Sequence, residues 1–297
     1  MRVVALLAIR NEELFLERCL EHLYCQGIET CVIDNESTDE SLQIASAFIG
    51  RGVFRIERLP FKGYFDFPEI LRYKEQLTME IEADWFMHLD ADEIREAPHL
   101  YRTLLEGIED ADQQGFNAIN FDEFVFLPMD DSQSYEGKDY VAEMQHYYFF
   151  EPCPMRRLNV WKNSSCIVDM VSSAGHCVNF EGRKLFPTHF ILRHYICLSR
   201  VHAIAKYGSR AFSLYAVKEL GWSRDRAGFT PDKLCFPDPQ RLKRVSEGWD
   251  KSEPWVHHES LFGNQCRPSS DAHPPGADNA SKAGRQAFLN WLLRLFD

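Results

Sequence analysis

Over the first 127 residues, short apolar runs alternate with stretches of helical period, and this alternation restricts the possible fold more than any other feature. Residues 2–9 are apolar and β-branched without a polar alternate, as in a strand covered on both faces. Leu16, Cys19, Leu20 and Leu23 then recur at the spacing of one helix face, after Asn11 as a possible cap. Residues 30–34 read as a second strand. Ser37 or Thr38 can cap a helix with Leu42, Ala45, Ser46 and Ile49 on one side. Residues 52–59 alternate like a third strand, 69–82 read as a helix, 85–89 as a fourth strand and 117–127 as a fifth. Strands alternating with helices predict a mostly parallel sheet with helices on both faces. No repeat is present.

Beyond residue 128 the rhythm weakens: a polar loop, mixed short strands rich in aromatics over 140–200, then a helix over 200–220. This predicts a first domain over 1–222, with a regular half (1–127) and a less regular half (128–222). A helical C-terminal extension over 223–263, a linker over 264–284 and an amphipathic helix over 285–297 complete the chain. That last helix is read as docking on the domain, with peripheral membrane contact as the minority reading. No run approaches the length of a membrane span. The apolar start lacks a cleavage site and reads as a first strand rather than a leader. A net charge of −12 argues against nucleic-acid binding through a broad basic surface. Nine cysteines without a CxxC pair read as reduced, mostly buried thiols, which suits a cytoplasmic protein.

Two polar groups terminate predicted strands. In "HLDADE", Asp90, Asp92 and Glu93 follow the fourth strand, where open α/β sheets bind ligands. Clustered carboxylates suit Mg²⁺ or Mn²⁺, which take oxygen ligands and share them with substrate phosphates; the alternative is the acidic first turn of a helix. In "VIDNESTDES", Asp34 ends a strand and can accept from a base N–H or a ribose hydroxyl, while Ser37, Thr38 and Asp39 can serve as caps.

"LLAIRNEELFLERCLEHL", "VIDNESTDES" and "HLDADE", in this order and spacing, resemble the family 2-like glycosyltransferases of the GT-A fold. "VIDNESTDES" resembles that family's "DDGSTD" segment, and "LDADE" its Asp-x-Asp metal motif. "HYICLSRVHAIAKYGSR" is similar to a segment of related GT-A enzymes in which a histidine completes the metal site. The resemblance covers about residues 1–125 and reaches nothing in 225–297. It implies a Rossmann-like nucleotide-sugar-binding domain with a mixed, mostly parallel sheet, and a nucleotide-sugar donor, UDP- or GDP-linked. Ala8, Ile9, Arg10, Asn11 and Glu12, with Asp34 and Glu36, would hold the nucleotide. Lys74, or Arg72 close by, stands near the place of a family arginine. Asp90 and Ala91 would lie by the ribose, Asp92 and His194 would bind Mn²⁺ or Mg²⁺, and Lys206 would face the phosphates. His176, His189 and His202 compete with His194.

The resemblance also implies a hexosyltransferase-like enzyme that inverts by direct displacement, which needs a general base. The family's Glu-Asp pair has no clear counterpart. The candidates are Glu123 and Asp169, with Asp122 less favoured because alternation puts it on the opposite face of the strand from Glu123. The acceptor, a glycan or a lipid-linked one, would meet Tyr147, Tyr148, Trp161, Arg156 and Arg157. Two other readings stay open: a nucleotidyltransferase, disfavoured by the absence of glycine in "AIRNEELF", and a non-catalytic nucleotide- or sugar-binding module.

Overall fold

The computed structural model describes residues 1–164 and 167–258. The linker and terminal helix expected over 264–284 and 285–297 lie outside the described residues. The first half runs β1 (Val3–Ile9), α1 (Glu13–Cys25), β2 (Glu29–Asp34), α2 (Ser41–Ala47), β3 (Val53–Arg58), α3 (Phe67–Glu80) and β4 (Trp85–Leu89). It continues through β5 (Glu93–Glu96), α4 (Leu104–Gln113) and β6 (Ala118–Phe126). The second half adds α5 (Tyr140–Glu143), β7 (His146–Phe150), β8 (Leu158–Lys162), β9 (Phe190–Tyr195), α6 (Arg200–Gly208), α7 (Leu214–Lys218), α8 (Arg224–Ala227) and β10 (Lys243–Arg244).

The main sheet has the order β10-β7-β6-β8-β4-β1-β2-β3, and β9 bridges β5 and β6 beside it. β1 lies parallel between β2 and β4, with Ile9 opposite Asp34 and Leu7 opposite Leu89. β8 runs antiparallel to both β4 and β6. The mixed α/β sheet expected of the sequence is therefore present, with β3, β2, β1 and β4 forming its parallel part. Its unbroken apolar strands are explained by burial on two faces: Val3, Ala5 and Leu7 join one core cluster, Val4 and Leu6 the other. α1 buries Leu16, Cys19, Leu20 and Leu23 on the first face, and α3 buries Leu71 and Leu77 on the second. Each such side chain adds about 1.5–3 kcal/mol. Cys19, Cys31 and Cys197 are buried free thiols. No helix of the described residues is long and apolar enough to cross a membrane.

One local expectation changes, and one alternative falls away. The single helix over 200–220 is two helices, α6 and α7. Between them the Phe65 N–H donates to the Ala211 carbonyl (2.7 Å) and the Ser213 N–H donates to the Phe65 carbonyl (3.2 Å). This strand-like exchange uses backbone groups that a continuous helix would need, and the Ser213 hydroxyl restarts the helix by accepting from the Ala216 N–H. The acidic residues after Asp92 begin the strand β5 rather than a helix.

Candidate active site

The chain moves outward from β1 through β2 to β3, then crosses back to β4 on the other side of β1. The loops after β1 and β4 diverge there, leaving a crevice at the carboxyl ends of the strands, the usual ligand position in open α/β sheets. The residues 8–12, Asp34 and the turn 90–92 all lie on this edge, because β4, β1 and β2 are neighbours in register.

The loops after β1 and β2 are held by their own side chains. Asn11 and Glu36 both have left-handed backbone, φ 56° and 57°. Asn11 tolerates this conformation, and its carbonyl oxygen accepts from the Thr38 N–H at 2.7 Å. Glu36 is fixed by Arg58 (2.5 Å) and by the Phe61 N–H (3.0 Å), so its carboxylate is spent on the loop. Arg10 lies 3.3 Å over the Phe61 ring and donates to the carbonyls of Asn35 and Glu36. Asp34 is buried and accepts from the Ser37 N–H with one oxygen, at 3.0 Å.

Asp92 is the centre of the charged group. Its Oδ2 accepts from Lys206 Nζ at 2.7 Å, and His194 Nε2 stands 3.6 Å from the same oxygen. α6 carries Lys206, and β9 carries His194; the Tyr195 N–H donates to the Asp92 carbonyl at 2.8 Å and so draws β9 to the turn. Burial pushes the Asp92 carboxyl up, but Lys206 and His194 outweigh it and hold it well below the usual carboxylate range. Burial likewise opposes the charge on His194, yet the Asp92 and Glu123 carboxylates raise it to about 9. Glu12, 4.0 Å from Lys206 and 3.7 Å from Arg210, is raised to about 7, chiefly by burial. Asp90 is raised by burial and then by Glu93, which accepts from the Asp90 N–H.

Behind His194 lies a second group. Glu123 is 1% exposed; its Oε1 bonds His194 Nδ1 at 2.7 Å, and Arg157 donates to both of its oxygens, at 2.6 and 2.8 Å. Arg157 also donates to His176 Nδ1 at 2.9 Å. Burial raises Glu123, but Arg157 and His194 hold it well below the usual range.

The expected residues therefore divide. Asp92, His194, Lys206 and Glu12 come together, with Asp90 and Ala91 in the same turn. The two base candidates stand outside this group. Glu123 has both oxygens engaged behind the imidazole. Asp169 is exposed on a loop, accepts from the Ser172 N–H, and has no bond to the Asp92 group among the described residues. Lys74 is wholly buried, bonded to His88 Nδ1 at 2.8 Å and the Leu89 carbonyl at 3.3 Å, beneath the turn rather than open to a ligand. Asp122 pairs with His189 (2.8 Å) and Lys251 (3.1 Å). His202 accepts from the Leu198 N–H at the start of α6. Arg210 was not anticipated; it follows Lys206 by four residues and lies just past the end of α6.

The donor set suits a particular kind of cation. One carboxylate and one imidazole 3.6 Å apart can share a divalent ion whose other positions are filled by water and a phosphate. Among the described residues no group of three or more His, Cys, Asp or Glu side chains is arranged to hold an ion alone. The residues thus fit an ion held jointly with a phosphate ligand, with Lys206 balancing Asp92 in this structure.

Residues 5–65 match the family model described as Glycosyl transferase family 2. No curated protein matches the chain. Similar solved structures include S. aureus TarS 1-349 in complex with UDP, at 11% identity and TM-score 0.43, covering 69% of this chain and 66% of that one. Another is the mannosyltransferase PcManGT from Pyrobaculum calidifontis in complex with GDP-Man and Mn²⁺, at 17% identity and TM-score 0.32, covering 40% and 35%. A third is glucosyl-3-phosphoglycerate synthase from Mycobacterium tuberculosis with Mn²⁺, UDP and glucosyl-3-phosphoglycerate, at 17% identity and TM-score 0.27, covering 42% and 44%. This chain thus spans 66% or less of the length of each of these three. The matched residues 5–65 carry most of β1 and all of α1, β2, α2 and β3, and over this stretch the chain is similar to glycosyl transferase family 2.

Proposed function

We propose that this protein is a metal-dependent glycosyltransferase that moves a sugar from a UDP- or GDP-linked donor to a hydroxyl of a glycan or lipid-linked acceptor. The observation that carries this reading is the meeting of Asp92, His194 and Lys206 in the crevice between the ends of β1 and β4. Asp92 and His194 would hold Mn²⁺ or Mg²⁺, which when bound supplies positive charge against the departing diphosphate. Lys206 and Arg210 bring two fixed cations to the same edge, a favourable field for a diphosphate. Asp34 retains one carboxylate oxygen for a base N–H or a ribose hydroxyl. Arg10 on Phe61 and Glu36 on Arg58 keep the surrounding loops in one conformation, which lowers the ordering cost of binding.

Thermal shift with UDP and GDP, with and without Mn²⁺, tests the reading. A ligand bound to the native state raises the melting temperature by mass action, by an amount equivalent to about 2.7 kcal/mol at a hundredfold excess over Kd. One nucleotide is expected to stabilise the protein only with metal present, and Asp92→Asn is expected to abolish the gain. An equal, metal-independent shift in the variant would remove the role given to Asp92.

A further inference from the structure

We infer that Glu123 is a positioning residue that acts through His194, fixing which imidazole nitrogen faces Asp92, and that Arg157 holds Glu123 in place for this task. The inference rests on the reading of Asp92 and His194 as the cation-holding pair.

A carboxylate buried to 1% exposure on β6 is costly unless its oxygens are satisfied and its charge is countered. Arg157 meets both needs in a two-pronged geometry, through Nε at 2.6 Å and Nη2 at 2.8 Å. Arg157 is itself tied down: its backbone N–H donates to Asn120 Oδ1 at 3.2 Å, and Nη1 donates to His176 Nδ1 at 2.9 Å. Glu123 therefore has one orientation, and Oε1 lies 2.7 Å from His194 Nδ1.

An ionised carboxylate only accepts hydrogen bonds. The hydrogen of a neutral His194 imidazole must then sit on Nδ1, and the lone pair is left on Nε2. Nε2 is the nitrogen 3.6 Å from Asp92 Oδ2. The order carboxylate, imidazole, cation position is the arrangement by which outer partners orient metal-ligating histidines. The same bonds disqualify Glu123 as a base for an acceptor hydroxyl, because it lies behind the ring with neither oxygen free.

The test is a double-substitution cycle on the full chain, reading the Mn²⁺ dissociation constant in the presence of UDP or GDP, whichever raises the melting temperature with Mn²⁺, by titration calorimetry or the Mn²⁺ resonance signal. Glu123→Gln removes the charge that fixes Nδ1–H and is expected to weaken Mn²⁺ binding by roughly 10–100-fold. In the His194→Ala background the same change is expected to alter binding by less than about twofold, since two residues acting through one contact are not additive. Equal weakening in both backgrounds, or none in either, overturns the inference. If Glu123→Gln does not fold, Glu123→Asp takes its place: it keeps the charge for Arg157 and draws the carboxylate back from the ring, with the same pattern expected and the same result decisive. Wild-type protein that binds no Mn²⁺ with either UDP or GDP overturns the underlying reading and this inference together. Unchanged affinity in a variant of a protein that does bind overturns the inference alone.

Discussion

Lys74 shows what the interior of this sheet does to a charge. It follows Leu71 by three residues and precedes Leu77 by three, so the helical period alone puts it on the buried stripe of α3. Burial lowers its pKa to about 8, against the opposing pull of Asp90 and Glu93. In the unfolded chain a lysine titrates near 10.4. Between these values the unfolded state binds more protons, so this residue's contribution to stability rises with pH from about 8 to 10.4. Below pH 8 the folded protein carries the full cost of a buried ammonium. Lys74→Met lacks this dependence, so its stability relative to the parent is expected to fall steadily across that interval. Urea unfolding of both proteins at pH 8 and pH 10 measures the difference, and a difference that does not change with pH would refute the assignment. The residue also marks a limit of sequence reading. Asp92 drew notice by its type and its place after an apolar run, whereas His194 was singled out among eleven histidines through the family resemblance. Family position suggested a donor role for Lys74, where helical spacing, given more weight, would have put it in the core. The partners of Glu123 were not legible, since nothing in the sequence places Arg157 and His194 beside one strand 34 and 71 residues away.

At the level of elements, α6 decides whether Lys206 reaches Asp92. The helix begins at Ser199, whose backbone is extended (φ −161°, ψ 170°) and whose hydroxyl accepts from the His202 N–H at 2.9 Å. Ser199→Ala removes this cap and is expected to cost about 1 kcal/mol. Ser209→Ala, at the other end of α6 and exposed, is expected to stay within about 0.5 kcal/mol. Denaturant midpoints at equal slope compare the two; equal losses would mean that the cap does not hold the helix. The end of α6 was not legible, because the amphipathic pattern continues through 209–213 while the break is imposed by Phe65, more than 140 residues earlier. A tertiary strand pairing outweighs helix propensity here, whose terms are below 1 kcal/mol per ordinary residue. The parallel strands were legible for the opposite reason. Burial on both faces favours apolar side chains, so β1 shows as an unbroken run, and β2 and β4 as short apolar runs that also bury Thr30 and His88.

Across the whole molecule, the candidate site joins residues that the sequence separates widely. Glu12 and Asp92 come from the first half, Glu123 from its last strand, and Arg157, His194 and Lys206 from the second. The site therefore depends on closure of the second half of the sheet onto the first. Residues beyond α8 contribute to that closure. β10 pairs with β7, and the Trp255 backbone exchanges hydrogen bonds with Phe149 and Glu151 at 2.8 and 3.0 Å. The Trp255 ring stacks on Tyr148, with centroids 4.2 Å apart and planes 15° apart. β7 in turn sits against β6, where Phe150 lies opposite Glu123. Trp255 is thus two strands away from the carboxylate that orients His194. Its loss should be felt as a loss of the sheet rather than of a separate module. Trp255→Ala removes a side chain only 8% exposed, and a substitution of this kind costs about 3–5 kcal/mol. In a domain of this size each kcal/mol lowers the melting temperature by roughly 2–4 °C. Scanning calorimetry is expected to show the main transition, the one that the stabilising nucleotide and Mn²⁺ would shift, moving down as a unit by about 6–20 °C. If residues 243–258 instead formed an independent appendage, a minor transition would move while the ligand-sensitive one stayed in place, and the sheet would close without them.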